Sequence, residues 1–174
     1  MTKNLIILVL MVTGLSLNAQ NYSKGDFLLN ADVQVTKIYP GIDISPDIWE
    51  GTPFHLSVNY VAVQTKAVAI STGLHTTYFR HQTGFNENYG TFGLAVPFNV
   101  HLSLIDKLDT YIGYRMGYHF DGFQPESKTV EGHYEGLYSE LYLGIRYFFI
   151  PRFGVYTEVT STEFQLNAGV SFKF

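Results

Sequence analysis

The sequence predicts an all-β fold, an eight-stranded antiparallel up-and-down transmembrane β-barrel that follows a cleaved N-terminal signal. Three observations lead to this prediction: a short apolar leader, eight stretches of alternating apolar and polar residues, and connections that are alternately long and short. The composition agrees, since only 15% of the 174 residues are charged, against roughly 25% in soluble domains. Aromatic residues, at 16%, are as frequent as charged ones.

Residues 1–19 are expected to be an export signal, which leaves residues 20–174 as one barrel domain. Lys3 supplies the positive start, an apolar core follows, and Ala19 is the small residue before the cleavage point. The apolar core is shorter than the roughly 20 residues that a transmembrane helix needs. This length disfavours the alternative, a retained N-terminal anchor.

The first four strands are predicted from period-two alternation, because successive side chains of a strand point to opposite faces. Phe27–Ile38 alternates throughout, whereas Pro53–Gln64 alternates at first and loses the pattern after Tyr60. In Ala67–Arg80, apolar residues stand opposite Ala, Ser, Gly, His and Thr. Thr91–Leu104 is the clearest, since its apolar residues alternate strictly with Gly, Ala, Pro, Asn, His and Ser. A helix would scatter such residues around its circumference.

The last four strands follow the same rule. Thr110–Asp121 sets Ile, Tyr, Met and Phe against Gly, Arg and His, and Leu137–Ile150 sets apolar residues against Glu, Gly and Arg. Phe153–Thr160 and Phe164–Phe174 are shorter, but both alternate clearly. Eight strands result.

The connections alternate in length along the chain. Long segments occupy residues 39–52, 81–90 and 122–136, and short turns join the strands between them. This alternation gathers the long connections at one end, as in outer-membrane barrels with long external loops and short periplasmic turns. Only the last hairpin, around Ser161-Thr162, is short where a long connection is expected. An even strand number places both termini at the short-turn end.

Alternation alone leaves open whether the apolar face meets lipid or the core of a soluble barrel. Strand length favours lipid, since soluble strands have about 5–6 residues and roughly 9–11 cross a bilayer at a tilt. The opposite face, rich in Gly, Ala, Ser and Asn, suits a narrow lumen better than solvent. Aromatic residues near strand ends indicate two interfacial girdles: Phe27, Phe54, Tyr78, Phe92, Tyr111, Phe120, Phe149, Phe153, Phe164 and Phe172.

Charged residues on the small-residue face are predicted to form an ion-pair network in the lumen. They are Asp32, Arg115, Glu140, Arg146, Glu158 and Lys173. Charges in so narrow an interior need partners, because an unpaired buried charge is costly. Equal numbers of each sign favour a structural plug over a gated passage, since a selective channel more often carries an excess of one sign.

The C-terminal third resembles a known family. The closing run 166–174, which ends in Phe174, looks like the last strand of outer-membrane β-barrel proteins. Together with the runs 144–149 and 151–158, it resembles the small OmpA-like barrels of Bacteroidetes-type bacteria. The resemblance implies a Gram-negative outer-membrane location in contact with lipid, and recognition of Phe174 by the barrel assembly machinery. It implies no particular activity, because members of this family have varied roles.

Two residue pairs place a histidine near a serine on one strand face: His55 with Ser57, and His101 with Ser103. A histidine so placed can activate a serine nucleophile, as in lipid-active hydrolases. His101 and Ser103 fall at the short-turn end, however, and no acidic partner of His55 can be assigned. No catalytic residue is therefore predicted.

Neither a metal nor a cofactor is predicted. The segment 121–135 offers oxygen and imidazole ligands without a recognisable spacing: Asp121, Glu126, Glu131, His133 and Glu135. The absence of cysteine excludes a disulfide scaffold, a thiolate zinc site and a lipoprotein anchor. Nucleic acid is not an expected partner, because 15 acidic residues outnumber 11 basic ones.

The sequence thus favours a non-enzymatic outer-membrane barrel with a packed polar lumen and a structural or surface-interaction role. The alternatives are a narrow, porin-like channel for small or amphipathic solutes, then a lipid-active hydrolase, then a soluble periplasmic barrel that binds an apolar ligand. Apolar residues of the first long loop are expected to cap the barrel mouth, or else to contact a partner: Ile42, Ile44, Ile48 and Trp49.

Overall fold

A computed structural model describes residues 21–37, 52–82, 88–122, 135–162 and 164–174. They form the strands β1 (Phe27–Lys37), β2 (Phe54–Gln64), β3 (Val68–Gln82), β4 (Asn88–Ile105), β5 (Leu108–Gly122), β6 (Gly136–Ile150), β7 (Phe153–Thr160) and β8 (Gln165–Lys173). Each strand pairs antiparallel with the next, and β1 also pairs with β8, so the sheet closes into a barrel. The predicted eight-stranded antiparallel barrel is confirmed. The described residues include no helix long and apolar enough to cross a membrane.

Strand bounds depart most from the prediction in the β3–β4 hairpin. β3 continues to Gln82 and β4 begins at Asn88, so this hairpin takes in much of the expected loop 81–90. The extra pairs follow the same register as the rest of the hairpin, which extends the ladder beyond the apolar stretch. We call this end of the barrel the long-loop end and the opposite end the short-turn end. The expected signal, residues 1–19, lies outside the described residues.

The apolar face of the barrel points outward. Along β4, every second side chain from Phe92 to Leu102 is exposed. These ten steps span about 33 Å along the strand, or about 25 Å across a bilayer at a tilt near 40°. That height equals the apolar band of outer-membrane barrels.

Aromatic residues form a row at each edge of this apolar band. Near the long-loop end, Phe54 pairs with Tyr78, Tyr78 with Phe92, and Phe92 with Phe120 in adjacent strands. The row at the short-turn end includes Phe27, Tyr60, Phe149, Phe153, Phe172 and Phe174. Two rows of exposed rings are the arrangement expected of interfacial girdles.

Tyr111 is a correction to the predicted girdles. Its side chain is only 4% exposed, and it lies inside the lumen. Odd-numbered residues of β5 face inward, including Asp109 and Arg115, and Tyr111 has the same parity. Its position near a strand end suggested an interface, but side-chain alternation places it inside.

Glycines make room for the tyrosine rings of the lumen. In the β5–β6 ladder, Tyr111 pairs with Gly144, and Gly113 pairs with Tyr142. A Cβ atom on either glycine would lie 2.2 Å from Cζ of the facing tyrosine. Each ring therefore occupies the space that a side chain on the paired residue would take.

A β-bulge explains why the second stretch loses its alternation. Val61 pairs with Ser71 and Val63 pairs with Ile70, which leaves Ala62 as an extra residue. Val61, before the extra residue, keeps the inward parity of His55 and Asn59 and is buried, whereas Val63, after it, is exposed. The extra residue shifts the parity of the strand by one.

We expect Gly144→Ala to lower the free energy of unfolding by about 1–3 kcal/mol, the usual cost of overpacking. The added methyl group would overlap the Tyr111 ring, which is held on all sides. Urea titration of the barrel in lipid vesicles, followed by gel mobility without boiling, measures the change.

Ile145→Val is the matched control, because Ile145 is the next residue and is exposed on the apolar face. It should change the free energy of unfolding by less than about 0.5 kcal/mol. Equal midpoints for Gly144→Ala and the unmodified protein would show that the lumen has spare room at this position.

Candidate functional site

Side chains fill the lumen. A central cavity of about 10 Å³ remains among Asn30, Ser57, Asn59 and Asn99, which is room for roughly one water molecule. Hydrogen bonds join its walls, including Asn30 Nδ2 to Ser57 Oγ at 3.0 Å. An eight-stranded barrel of this kind is a packed interior rather than a pore.

Toward the short-turn end, charged and aromatic residues converge on Asp109, whose side chain is fully buried. Its carboxylate accepts a short hydrogen bond from the Tyr22 hydroxyl and lies 3.2 Å from Nη1 of Arg146. Nδ1 of His101 lies 3.0 Å from the same carboxylate. The Arg146 guanidinium also donates to Tyr22 at 2.7 Å and stands 4.9 Å from the centre of the Tyr111 ring. We call Tyr22, His101, Asp109 and Arg146 the Asp109 cluster.

Together with Ser71 of β3, His101 and Asp109 of the Asp109 cluster form the serine–histidine–aspartate order of a hydrolase triad. Nε2 of His101 lies 2.9 Å from Oγ of Ser71, while Nδ1 faces Asp109. The sequence pairs named Ser103 as the partner of His101, but the neighbouring strand supplies Ser71 instead. The Ser71 hydroxyl is fully buried and also accepts from Asn99 at 3.0 Å, so no substrate carbonyl has space to approach it in this arrangement.

Toward the long-loop end, Arg115 is the centre of a second cluster. Its guanidinium donates to Glu140 through a short hydrogen bond and to Glu158 at 3.1 Å. It also donates toward the His75 ring at 3.1 Å and stacks 4.4 Å from the centre of the Tyr142 ring. Arg115 is 3% exposed, so these contacts replace its hydration shell. We call Arg115, Glu140, Glu158, His75 and Tyr142 the Arg115 cluster.

Asp32 forms a smaller group beside the Arg115 cluster. Nδ1 of His55 lies 2.6 Å from its carboxylate, and the Tyr156 hydroxyl donates to the other oxygen. The acidic partner that the sequence could not assign to His55 is therefore Asp32, its cross-strand neighbour. Among the described hydrogen bonds, Ser57 does not bond to His55 and accepts from Asn30 and Asn59 instead.

Residues just before β1 close the short-turn end of the lumen. The Tyr22 side chain inserts into the barrel and is 2% exposed. Asn21 donates to the Leu108 carbonyl at 2.8 Å and accepts from the Lys107 amide at 3.0 Å, which fixes this segment to the β4–β5 turn. Lys173 donates to the Asn21 carbonyl and forms a long ion pair with Asp26 at 3.9 Å. We call Asn21 and Tyr22 the N-terminal stopper.

The structure brings together some of the six charged residues named from the sequence. Arg115, Glu140 and Glu158 are in direct contact, whereas Asp32 and Arg146 belong to neighbouring groups. Lys173 lies apart at the short-turn mouth.

The principal partner of Arg146 is Asp109, which the sequence placed in a short turn. The β5 strand in fact begins at Leu108, so Asp109 is its second residue and faces inward. The interior network also includes His55, His75, His101 and Tyr22, none of which was assigned to it from sequence. Only the inward parity of the three histidines could have indicated them.

Most of the other sequence candidates lie outside the described residues. These include the apolar residues of the first long loop, Ile42, Ile44, Ile48 and Trp49, and much of the segment 121–135. Within the part of the chain that the structure describes, no three His, Asp or Glu side chains are grouped so that they could hold a metal ion.

No family model and no curated protein matches the sequence. The structure is similar to a de novo designed transmembrane β-barrel, with a TM-score of 0.54 and 13% identity over 89% of this chain and 100% of that one. It is similar to the N-terminal β-barrel domain of OprF from Pseudomonas aeruginosa, with a TM-score of 0.52 and 13% identity over 88% and 100% of the two chains. It is also similar to the outer membrane protein Ail of Yersinia pestis, with a TM-score of 0.53 and 10% identity over 86% and 99%. At these identities the likeness shows the fold.

We expect Arg115→Ala to lower the free energy of unfolding by about 3–5 kcal/mol, because it leaves buried carboxylates without their cation. The carboxylates concerned are those of Glu140 and Glu158. Urea unfolding in vesicles measures the loss.

Arg80→Ala serves as the control, since Arg80 is exposed and, among the described residues, its side chain forms a single hydrogen bond, to Tyr78. Its effect should stay within about 0.5 kcal/mol. If Arg115→Ala and Arg80→Ala destabilised the barrel equally, the Arg115 cluster would contribute nothing specific to stability.

Proposed function

Because the chain is an eight-stranded transmembrane β-barrel of the outer-membrane type, we propose that it is a closed, non-enzymatic barrel with a structural or surface-interaction role. In this proposal the long-loop end faces the cell exterior and the short-turn end faces the periplasm. The alternation of connection lengths supports this orientation, because outer-membrane barrels have their long loops outside. The protein would resemble the small OmpA-like barrels of Bacteroidetes-type bacteria.

The observation that carries the proposal is the filled lumen. The Arg115 cluster lies toward the long-loop end and the Asp109 cluster toward the short-turn end, where Tyr22 joins it to the N-terminal stopper, and the central cavity is about 10 Å³. A hydrated ion needs a continuous path, and each cluster blocks it with side chains that bond to one another. The polar interior therefore acts as a plug, which leaves the external surface and the loops as the parts available for interaction.

We expect the purified protein to show no resolved conductance steps in planar bilayers. Tyr22→Ala should also remain silent, although it removes most of the N-terminal stopper, because the Arg115 cluster still closes the lumen. A designed large-pore barrel recorded in the same bilayers confirms that insertion is detected.

Steps from the unmodified protein would contradict the plug and support the alternative, a narrow channel for small solutes. Steps from Tyr22→Ala alone would show that the stopper is the single barrier. Recovery of the protein in the soluble fraction of cells would contradict the outer-membrane proposal as a whole.

We also propose that Phe174 is recognised by the barrel assembly machinery. Its ring stacks on Phe27 with centroids 6.1 Å apart, and its backbone pairs with Phe27 in both directions, at 2.8 and 3.0 Å. Phe174→Ala keeps this backbone pairing, so the barrel itself should still form.

Phe174→Ala is therefore expected to reduce insertion severalfold in vesicles that contain the machinery, but not spontaneous insertion into thin lipid bilayers. Gel mobility without boiling measures both. Phe164→Ala, at the other end of β8 and also exposed, is the control. An equal loss in both kinds of vesicle would mean that Phe174 acts only through stability.

A further inference from the structure

Each hairpin turn at the short-turn end of the barrel carries an exposed cation. Lys66 lies in the β2–β3 turn, Lys107 in the β4–β5 turn and Arg152 in the β6–β7 turn, and all three are exposed. The Lys107 turn is held in place, because its backbone amide donates to Asn21 and its φ of 65° fits a tight hairpin. We call Lys66, Lys107 and Arg152 the basic rim.

The basic rim has few acidic neighbours. Among the described residues, none of its three side chains forms an ion pair, whereas Arg115, Arg146 and Lys173 all do. Asp106 beside Lys107 is the exposed acid at this end, and Asp26 faces Lys173. Lys24, which is also exposed, adds to the positive charge of the same end.

Lipid-facing apolar side chains stand next to each cation of the basic rim. Val63, Ile105 and Ile150 precede the three turns and are 49%, 59% and 58% exposed. Lysine and arginine keep their stems on apolar surface and extend their charged ends to the lipid headgroups. The three cations therefore lie at the level where the apolar band ends.

At the long-loop end of the barrel, acidic residues outnumber basic ones in the sequence. Two described cations lie at this end: Arg80, which is exposed and donates to the Tyr78 hydroxyl at 3.1 Å, and Lys37, the last residue of β1. Glu135, which precedes β6, is exposed at the same end. In the sequence, Lys128 is the one lysine or arginine in the long connections 38–51, 83–87 and 123–134. The acidic residues of those connections are Asp43, Asp47, Glu50, Glu87, Glu126 and Glu131.

We propose that the basic rim binds the phosphate groups of anionic phospholipids in the leaflet at the short-turn end. Under the proposed function, on whose orientation this inference rests, that leaflet is the periplasmic one. Three turns separated by pairs of strands place the cations around the circumference, so each meets a different lipid of the surrounding shell. A periplasmic polymer would be better bound by one continuous basic patch than by three separate cations.

The experiment compares the unmodified protein with the triple variant Lys66→Gln, Lys107→Gln and Arg152→Gln. Both are placed in nanodiscs of mixed phosphatidylcholine and phosphatidylglycerol and released into detergent, and native mass spectrometry counts the lipids that stay bound. We expect phosphatidylglycerol to be enriched over its bulk fraction on the unmodified protein, and the enrichment to fall with added salt. The triple variant should lose at least roughly tenfold in this preference, at several-fold for each cation.

Arg80→Gln is the matched control, because it removes an exposed cation from the opposite end, and it should keep the preference. Gel mobility without boiling first checks that every variant is folded, and the three single variants replace the triple one if it is not. A bound-lipid ratio equal to the bulk ratio for the unmodified protein would overturn the proposal, as would an undiminished preference in the triple variant. Loss of the phosphatidylglycerol preference in Arg80→Gln alone would assign lipid binding to the long-loop end, and this outcome would also overturn the proposal.

Two further measurements keep this inference separate from the proposed function. Sedimentation with purified peptidoglycan tests the polymer, and binding that depends on the basic rim without any lipid preference would replace the present proposal. Cell fractionation tests the outer-membrane location. A soluble protein in cells would refute the proposed function, whereas the nanodisc ratio reports on the basic rim in either case.

Discussion

A strand in hydrocarbon cannot leave its backbone amides unpaired, because no water is present to replace the missing hydrogen bonds. The ladder between β1 and β8, from Leu28 with Lys173 to Lys37 with Gln165, removes both edges of the sheet. Closure at eight strands fixes the radius, and an interior of this radius has room for side chains alone. The tyrosine rings over Gly113 and Gly144 follow from this limit, and so does the pairing of every guanidinium inside the described barrel.

The fold could be predicted from sequence because side-chain alternation and connection length are local properties. Both predict the structure correctly wherever a strand is regular, as in β4 and β7. The prediction weakened where an element departs from regularity. The extra residue at Ala62 shifts the parity of β2, and a girdle position was assigned to Tyr111 from its place near a strand end rather than from its parity.

The lumen was predictable in its composition and less so in its contacts. Alternation alone indicated that Arg115 and Arg146 point inward, and both are buried. Which side chains pair depends on the register between strands, and the sequence does not show this register. The Asp32–His55 pair and the ion pair between Arg146 and Asp109 could therefore not be predicted. The same register gives His101 a serine from β3 rather than the one on its own strand. Dense polar packing can therefore place a serine, a histidine and an aspartate in the order of a catalytic triad. Such a group can act as a catalyst only if a substrate can also reach the serine.

The N-terminal stopper has a consequence for the order in which the barrel is built. Tyr22 bonds to Asp109, 87 residues along the chain, and to Arg146, 124 residues along it. Contacts between such distant residues form late, since the chain between them must first be arranged. The site that holds the Tyr22 side chain forms only when β5 and β6 lie side by side. A barrel that is still folding therefore stays open at the short-turn end. Insertion of Tyr22 into the lumen therefore reports that β5 and β6 have reached their register.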